Sequence, residues 1–317
     1  MNSPTQIYLA TNKYVASLKV LTLAGKRRKL NPDLIELLIL RKCKEFLRFY
    51  SFAKEVFFNI KYYRRMWRLR NHYINKKVLV LGNGPSQGFV TEKALVDFFE
   101  SGNHLCVVNN FYKNKIFSRV IPTYLVISDP GSLNFNDPDY IEESKDLLSY
   151  LLDNTSVNLL CPLSRCKEIS ELIGENRVIG FVDTEMRLNT NNITPVFPRG
   201  YLSMTLYKAL AFSLWACYKE VFILGMDNTY PRDIYCNSDN EILNLEVHVY
   251  CDDSCSSLSQ LYNSVGDRLV ELSHLFYDAR KFNHRHIINL DPYSLTDAFR
   301  KYKGKLEDLD LFINFKE

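Results

Sequence analysis

From Asp33 to Leu69 the chain reads DLIELLILRKCKEFLRFYSFAKEVFFNIKYYRRMWRL, with no glycine or proline. Apolar residues return there at helical spacing: Leu37, Leu40, Leu47, Phe52 and Phe57 share a broad stripe, and Asn31-Pro32-Asp33 supplies a helix start. At Lys76 the texture changes. KKVLVLGNGPS is a short Val- and Leu-rich run that ends in a glycine-rich turn, which is how the first buried strand of a parallel sheet reads. Further strands are predicted at 104–109, 123–128, 157–160, 177–182, 220–225 and 286–289, with helical patterns at 91–101, 141–153, 165–173, 203–217 and 258–280. Strands alternating with helices imply βαβ units, hence an α/β fold with a Rossmann-like, mostly parallel sheet and flanking helices. The predicted organisation is a basic helical segment over 1–75, an α/β domain over 76–300 and a charged tail over 301–317. No internal repeat interrupts it.

Charge sharpens the first boundary. The 317 residues carry 40 Lys and Arg against 36 Asp and Glu, but residues 1–77 hold 18 of the basic residues and 4 of the acidic ones, a local balance of +14 against −10 for the rest. A basic, aromatic-rich amphipathic helix has the composition of an interfacial membrane binder, and equally of a helical pair packed on the body with a solvated basic face. No nucleic-acid motif accompanies the charge, so nucleic acid is not the expected partner. The N-terminus lacks the charged region and continuous apolar stretch of a signal peptide, and no run reaches the ~18 uninterrupted apolar residues of a membrane span. The expected location is cytoplasmic, peripheral at the inner face of the membrane. Eight cysteines show no Cys-x-x-Cys pairing; Cys251 and Cys255 near His248 lack a second ligand pair, so reduced thiols and no metal site are expected.

Ligands of open α/β sheets bind outside the carboxyl ends of the strands. Four strand ends carry unusual residues there: Gly82-Asn83-Gly84-Pro85-Ser86, Asn109-Asn110-Phe111-Tyr112, Ser128-Asp129-Pro130 and Gly225-Met226-Asp227-Asn228-Thr229-Tyr230. Each is also an ordinary turn composition. Together on one edge they predict a nucleotide-type pocket. GNGPSQ lacks the third glycine of a dinucleotide loop, and no Gly-Lys-Ser/Thr of a Walker loop follows, which disfavours dehydrogenases and P-loop kinases.

The combination of VLGNGPS, VNNFY, a strand ending in SDP, and YKEVFILGMD resembles two related groups over residues 76–300. One is the bacterial lipooligosaccharide sialyltransferases that use CMP-sialic acid. The other is the MptE-like family of 6-hydroxymethylpterin pyrophosphokinases, motility accessory factors and polysaccharide-locus proteins, whose last strand HIINLDPYSLTDAF also resembles. The sialyltransferase resemblance implies a variant GT-A-like, single nucleotide-binding domain. It implies that Asn83 meets the nucleotide phosphate or ribose, that Asn109 contacts the donor and that Ser203 belongs to the donor-binding segment; Gly82, Gly84, Pro85, Ser86, Asn110, Asp129 and Asp227 are the nucleotide-site candidates that the strand ends themselves supply. Asp129 stands where that family has an Asn. Arg199-Gly200-Tyr201-Leu202-Ser203 stands near the family's donor-binding segment, with about one extra turn before YKE. Tyr230 and Tyr235 stand for the tyrosines that hydrogen-bond the departing phosphate, and His248 for the general base.

Transfer from a CMP-activated sugar passes through an oxocarbenium-like transition state in which the acceptor hydroxyl loses a proton. A histidine titrates in the right range to accept it, and tyrosine hydroxyls or an arginine can stabilise the leaving phosphate without a divalent ion. The expected partners are a CMP-linked nucleotide sugar, a glycan or lipid-linked acceptor of lipopolysaccharide or capsule synthesis, and an anionic membrane surface, with homo-oligomerisation left open. The alternatives are a pyrophosphokinase using ATP and Mg, with Asp129, Asp227, Asp252 and Asp253 near the metal, and a non-catalytic scaffold.

Overall fold

The computed structural model describes residues 32–114, 120–129, 131–135, 141–187, 190–228, 234–236, 238, 242–246, 257–260, 265–291 and 293–302. In chain order the described helices are α1 (Pro32–Phe58), α2 (Ile60–Arg68), α3 (Glu92–Glu100), α4 (Ile141–Asp153), α5 (Cys166–Ile173), α6 (Thr205–Trp215) and α7 (Val265–Ala279). The strands are β1 (Lys77–Leu81), β2 (His104–Val108), β3 (Tyr124–Val126), β4 (Asn158–Pro162), β5 (Val178–Phe181), β6 (Glu220–Leu224), β7 (Ile234–Cys236), β8 (Ile242–Glu246), β9 (Ser257–Gln260), β10 (Ile287–Asn289) and β11 (Arg300–Lys301). Eight of them form one sheet in the order β11-β10-β6-β1-β2-β3-β4-β5, every pair parallel. The α/β, Rossmann-like class predicted from the alternation is the observed one.

Period-two alternation sorts each strand between two apolar layers. Leu79, Leu81, Leu105, Val107, Phe222 and Leu224 join the layer that takes in Leu95 and Phe98 of α3 and Leu147 and Leu151 of α4. Val78, Val80, Cys106, Val108, Val221 and Ile223 join the opposite layer, against Leu206, Tyr207, Leu210 and Phe212 of α6. With both faces covered, the strands read as continuous apolar runs, which is why sequence alone located them. Helix starts and stops follow local chemistry: the Thr91 hydroxyl accepts the Ala94 N–H at 3.2 Å to open α3, and Gly174, at φ 94°, closes α5.

β7, β8 and β9 form a separate antiparallel sheet, which the sequence reading did not foresee. The expected helix over 258–280 begins only at Val265, because Ser257–Gln260 pairs with β8. SLSQ alternates polar and apolar residues over too few positions for periodicity to separate strand from helix.

The chain divides into two compact units, Met1–Leu47 and Arg48–Glu317. Residues 48–75, which charge had grouped with the basic arm, thus lie in the sheet's unit. The Tyr62 and Ser170 hydroxyls are 2.5 Å apart, and the Trp215 indole N–H donates to the Met66 carbonyl at 2.8 Å. Glu55 of α1 accepts from the Ser164 N–H at 2.9 Å and from the Thr184 hydroxyl at 3.3 Å, which ties that helix to the loops after β4 and β5. Burial raises the Glu55 pKa despite these donors.

At the amino-terminal edge of the sheet, His104 opens β2 in a ring of aromatic neighbours. Lys76 Nζ lies 3.0 Å from its Nε2 and the Tyr218 hydroxyl 2.6 Å from its Nδ1. An ammonium only donates, so Nε2 accepts and Nδ1 carries the proton of a neutral ring. Burial, followed by the Lys76 and His72 charges, lowers the His104 pKa to about 4. Tyr73 stacks on Tyr218 at 4.9 Å and shares a hydrogen bond with the Tyr124 hydroxyl.

Candidate functional site

The chain runs from β1 outward through β2, β3, β4 and β5, then returns to place β6 on the other side of β1. The loops after β1 and β6 therefore diverge at a topological switch point, the usual place for a ligand in such sheets. Here the two loops are clasped together. The Gly84 N–H donates to the Gly225 carbonyl at 3.0 Å, and the Gly225 N–H donates to Ser86 Oγ at 2.9 Å. Ser86 in turn donates its N–H and its hydroxyl to the two Asp227 oxygens, each at 3.0 Å. Gln87 closes the loop on itself by donating to the Gly82 carbonyl at 3.0 Å, and accepts from Asn114 at 2.9 Å.

This clasp explains the residue types of the motif. A Cβ on Gly82 would collide with the Gly225 carbonyl, and one on Gly84 with the Asp227 carboxylate. Gly225 has the further requirement of φ 75°, in the left-handed region. Gly82, Gly84, Ser86 and Asp227, all expected around a nucleotide, are thus engaged with one another. Pro85 is exposed and opens the short 3₁₀ turn Pro85–Phe89, where its missing N–H removes no bond.

Three asparagines behave differently. The side-chain oxygens of Asn83, Asn109 and Asn110 are buried and have no hydrogen-bond partner among the described residues. Asn83 follows β1, and Asn109 and Asn110 follow β2, the strand paired with it, so all three stand at one end of adjacent strands. Asn109 is held at φ 47°, a left-handed conformation that asparagine tolerates better than most residues. An unpartnered buried carbonyl oxygen costs on the order of 1–3 kcal/mol. Three of them beside the switch point are acceptors to which a ligand's hydroxyl or amino groups can donate.

On the other side of the clasp, Asp227 meets a residue that the sequence reading did not single out. Asp291, just after β10, is buried; its Oδ1 accepts from the Tyr293 N–H at 2.8 Å and its Oδ2 has no hydrogen-bond partner among the described residues. Burial first, and the like charge of Asp291 second, raise the Asp227 pKa to about 6 against the donors from Ser86. Lys301 lies near both carboxylates and donates to the Asp291 and Ser294 carbonyls at 3.1 and 2.8 Å; its pKa is lowered by burial. Asp291 was readable: in HIINLDP it stands where the other strand ends carry their polar residues.

A second buried polar group surrounds the entry to α6. The Ser128 and Thr205 hydroxyls, 2.5 Å apart, bring the start of α6 to the end of β3. Arg199 is buried and engaged by the protein: it pairs with Asp183 at 3.0 Å and Glu185 at 3.2 Å and donates to the Tyr201 carbonyl. Lys208 pairs with Asp183 at 2.8 Å and donates to the exposed Ser203 at 2.9 Å; burial lowers its pKa to about 8. Asp278 pairs with Arg187 at 3.0 Å and Lys281 at 2.8 Å and accepts the Leu202 N–H at 2.7 Å, so Leu202 is held by a buried carboxylate as Arg199 is held by its two ion pairs.

The exposed Asp129 closes its own turn, accepting from the Gly131 N–H at 3.1 Å and the Ser132 hydroxyl at 3.2 Å. Tyr235 is placed as backbone in β7. Tyr230 and His248, with Cys251, Asp252, Asp253 and Cys255, lie outside the described residues. Among the described residues no three His, Cys, Asp or Glu side chains are arranged to hold a metal ion. Described Cys161 and Cys166 are free and buried, their sulfurs 3.6 Å apart.

No protein-family model matches the chain, and no curated protein matches it. Among solved structures it has a distant likeness to the MAf glycosyltransferase from Magnetospirillum magneticum AMB-1, at 9% identity and a TM-score of 0.42 over 76% of this chain and 37% of that one. The chain thus spans well under half the length of that protein.

Proposed function

We propose that the chain is a glycosyltransferase that moves a sugar, a nonulosonic or related acid, from a CMP-linked donor to a lipid-linked or surface glycan acceptor. The observation that carries this reading is the trio of buried, unpartnered oxygens on Asn83, Asn109 and Asn110 beside the switch point. A neutral carboxamide accepts from a ribose hydroxyl or a base amino group through its oxygen and donates to a phosphate through its nitrogen, without repelling the phosphate's charge. A carboxylate at those positions would repel it. In this reading the clasp fixes the backbone that carries Asn83, and Arg199 acts by holding the segment before α6. His248 takes the proton of the acceptor hydroxyl, and the Tyr230 and Tyr235 hydroxyls donate to the departing phosphate.

No step is routed through a resident metal. Both Asp227 oxygens already accept from Ser86 and one Asp291 oxygen accepts from Tyr293, which among the described residues leaves a single carboxylate oxygen of the pair without a donor. That same pair is the observation that favours the second reading, a pyrophosphokinase in which Mg arrives with ATP. Thermal unfolding of the full chain with CMP, CDP, UDP and ATP, each with and without Mg²⁺, separates the two. The glycosyltransferase reading expects CMP and CDP to raise the midpoint by a few degrees without Mg²⁺, as a ligand well above its dissociation constant must. A response to ATP with Mg²⁺ alone overturns it in favour of the kinase, and no response to any nucleotide overturns both.

A further inference from the structure

We propose that the face of α1 between Arg48 and Phe58 docks into the surface of an anionic lipid bilayer. Only Phe52, Glu55 and Val56 of this stretch turn inward: Phe52 lies in the apolar layer, Val56 packs against it, and Glu55 holds the loops after β4 and β5. The rest faces solvent. Phe49, Tyr50, Phe57 and Phe58 are 52, 63, 76 and 69% exposed, although large aromatic rings dominate the apolar material that proteins normally bury. Phe49, Tyr50, Ala53 and Phe57 follow one another at spacings that place them on one side of a helix, and Ile60 at the start of α2 is exposed as well.

Charge decides between a bilayer and another apolar partner. Residues 48–70 contain seven Lys and Arg against one acid, Glu55, and that acid is turned to the protein. Lys54 is exposed among the aromatics. Lys61, Arg64 and Arg68 fall at intervals of three and four positions on one side of α2, all exposed, with Lys61 paired to Glu175 at 2.8 Å. Rings that enter the headgroup region and long cations that reach phosphate are what an interfacial helix needs, and a second copy of this chain would bring the same positive charge to the contact. Among the described residues no helix is long and apolar enough to cross a membrane, so the contact is with one surface. Glu55 fixes this helix to the carboxyl edge of the sheet, the edge where the asparagines stand.

Co-sedimentation of the full chain tests this with vesicles of phosphatidylcholine alone and of phosphatidylcholine with a quarter phosphatidylglycerol. Binding is expected to the anionic vesicles and to weaken with salt. Replacing the exposed rings together (Tyr50→Ser, Phe57→Ser, Phe58→Ser) should lower it at least about tenfold with the unfolding midpoint unchanged, because none of the three is buried. Arg64→Gln with Arg68→Gln should cost a few-fold each and erase most of the preference for anionic lipid. Failure of the wild type to bind vesicles, or equal binding by the triple variant, overturns the proposal. So does a wild-type dimer in sedimentation that the triple variant converts to monomer, which would assign the face to a second copy. None of these outcomes depends on whether a nucleotide binds at Asn83.

Discussion

At one end of β2, His104 has a partner for each ring nitrogen; at the other, Asn109 holds a buried oxygen that none of the described residues satisfies. Both edges of the sheet bury polar groups, and both do so among strands of the same apolar character. The amino edge closes its network internally, through Lys76, Tyr218, Tyr73 and Tyr124. The carboxyl edge closes only part of its own, the clasp of Gly84, Ser86, Gly225 and Asp227, and leaves Asn83, Asn109 and Asn110 open. A satisfied buried network contributes to stability, whereas an unsatisfied one is tolerated where a ligand completes it. Changes at the two edges should therefore be distinguishable by whether they move folding or binding.

The largest effect should come from breaking the clasp. Gly225→Ala places a methyl against the Gly82 backbone at a left-handed φ, and the combined overpacking and strain should cost about 3 kcal/mol or more, read as a large drop in the denaturant midpoint. Retention of wild-type stability would mean that the loops separate without cost. Next, Asn83→Ala should weaken nucleotide binding by about tenfold or more in calorimetry while leaving thermal stability equal or slightly higher, since it deletes an unpartnered oxygen. A parallel loss of stability would move Asn83 to the structural side of the comparison.

Tyr218→Phe should do the reverse. It strips the Nδ1–H of His104 of its acceptor, so unfolding free energy should fall by about 1–3 kcal/mol with nucleotide affinity unchanged. The smallest net effect is in pH, where two contributions of opposite sign offset one another. The unfolded chain protonates its histidine below about 6.5 while folded His104 stays neutral to about 4, so this edge loses stability as pH falls through that window. Asp227 has the opposite sign: folded, it takes up its proton near 6, and unfolded only near 3.8, so its contribution grows as pH falls between those values. Unfolding midpoints measured from pH 7 to pH 4 should drop less for His104→Gln than for wild type, and more for Asp227→Asn.

Much of this was legible in the sequence because it rests on local pattern. The apolar runs from KVLVL to HIIN located strands of the sheet, and glycine after β1 and β6 marked its carboxyl edge. What was not legible is what a residue does once another segment arrives. Ser86 and Asp227 look like ligand-binding residues in isolation; only their hydrogen bonds across the switch point show that they hold two loops together. Arg199 looks like a free cation until Asp183 and Glu185 stand beside it. Asp291 is legible on the same terms as Asp129 and Asp227, since it too follows a strand of the parallel sheet, but its pairing with Asp227 is not. The open asparagines were found but could not be told from their neighbours, since a missing partner leaves no mark on composition.

β1 acquires its neighbour β2 early in synthesis, but its other neighbour is β6, with Lys77 paired to Glu220 and Leu81 to Leu224. At about 5–20 residues per second, translation leaves that side of the strand unpaired for on the order of ten seconds. During that interval Val78 and Val80 also lack the cover of α6, and an open apolar strand edge invites other chains. The nascent chain thus has no switch point, and Asn83 no fixed position, until Gly225 and Asp227 have left the ribosome. Premature termination before β6 would yield a product prone to aggregation.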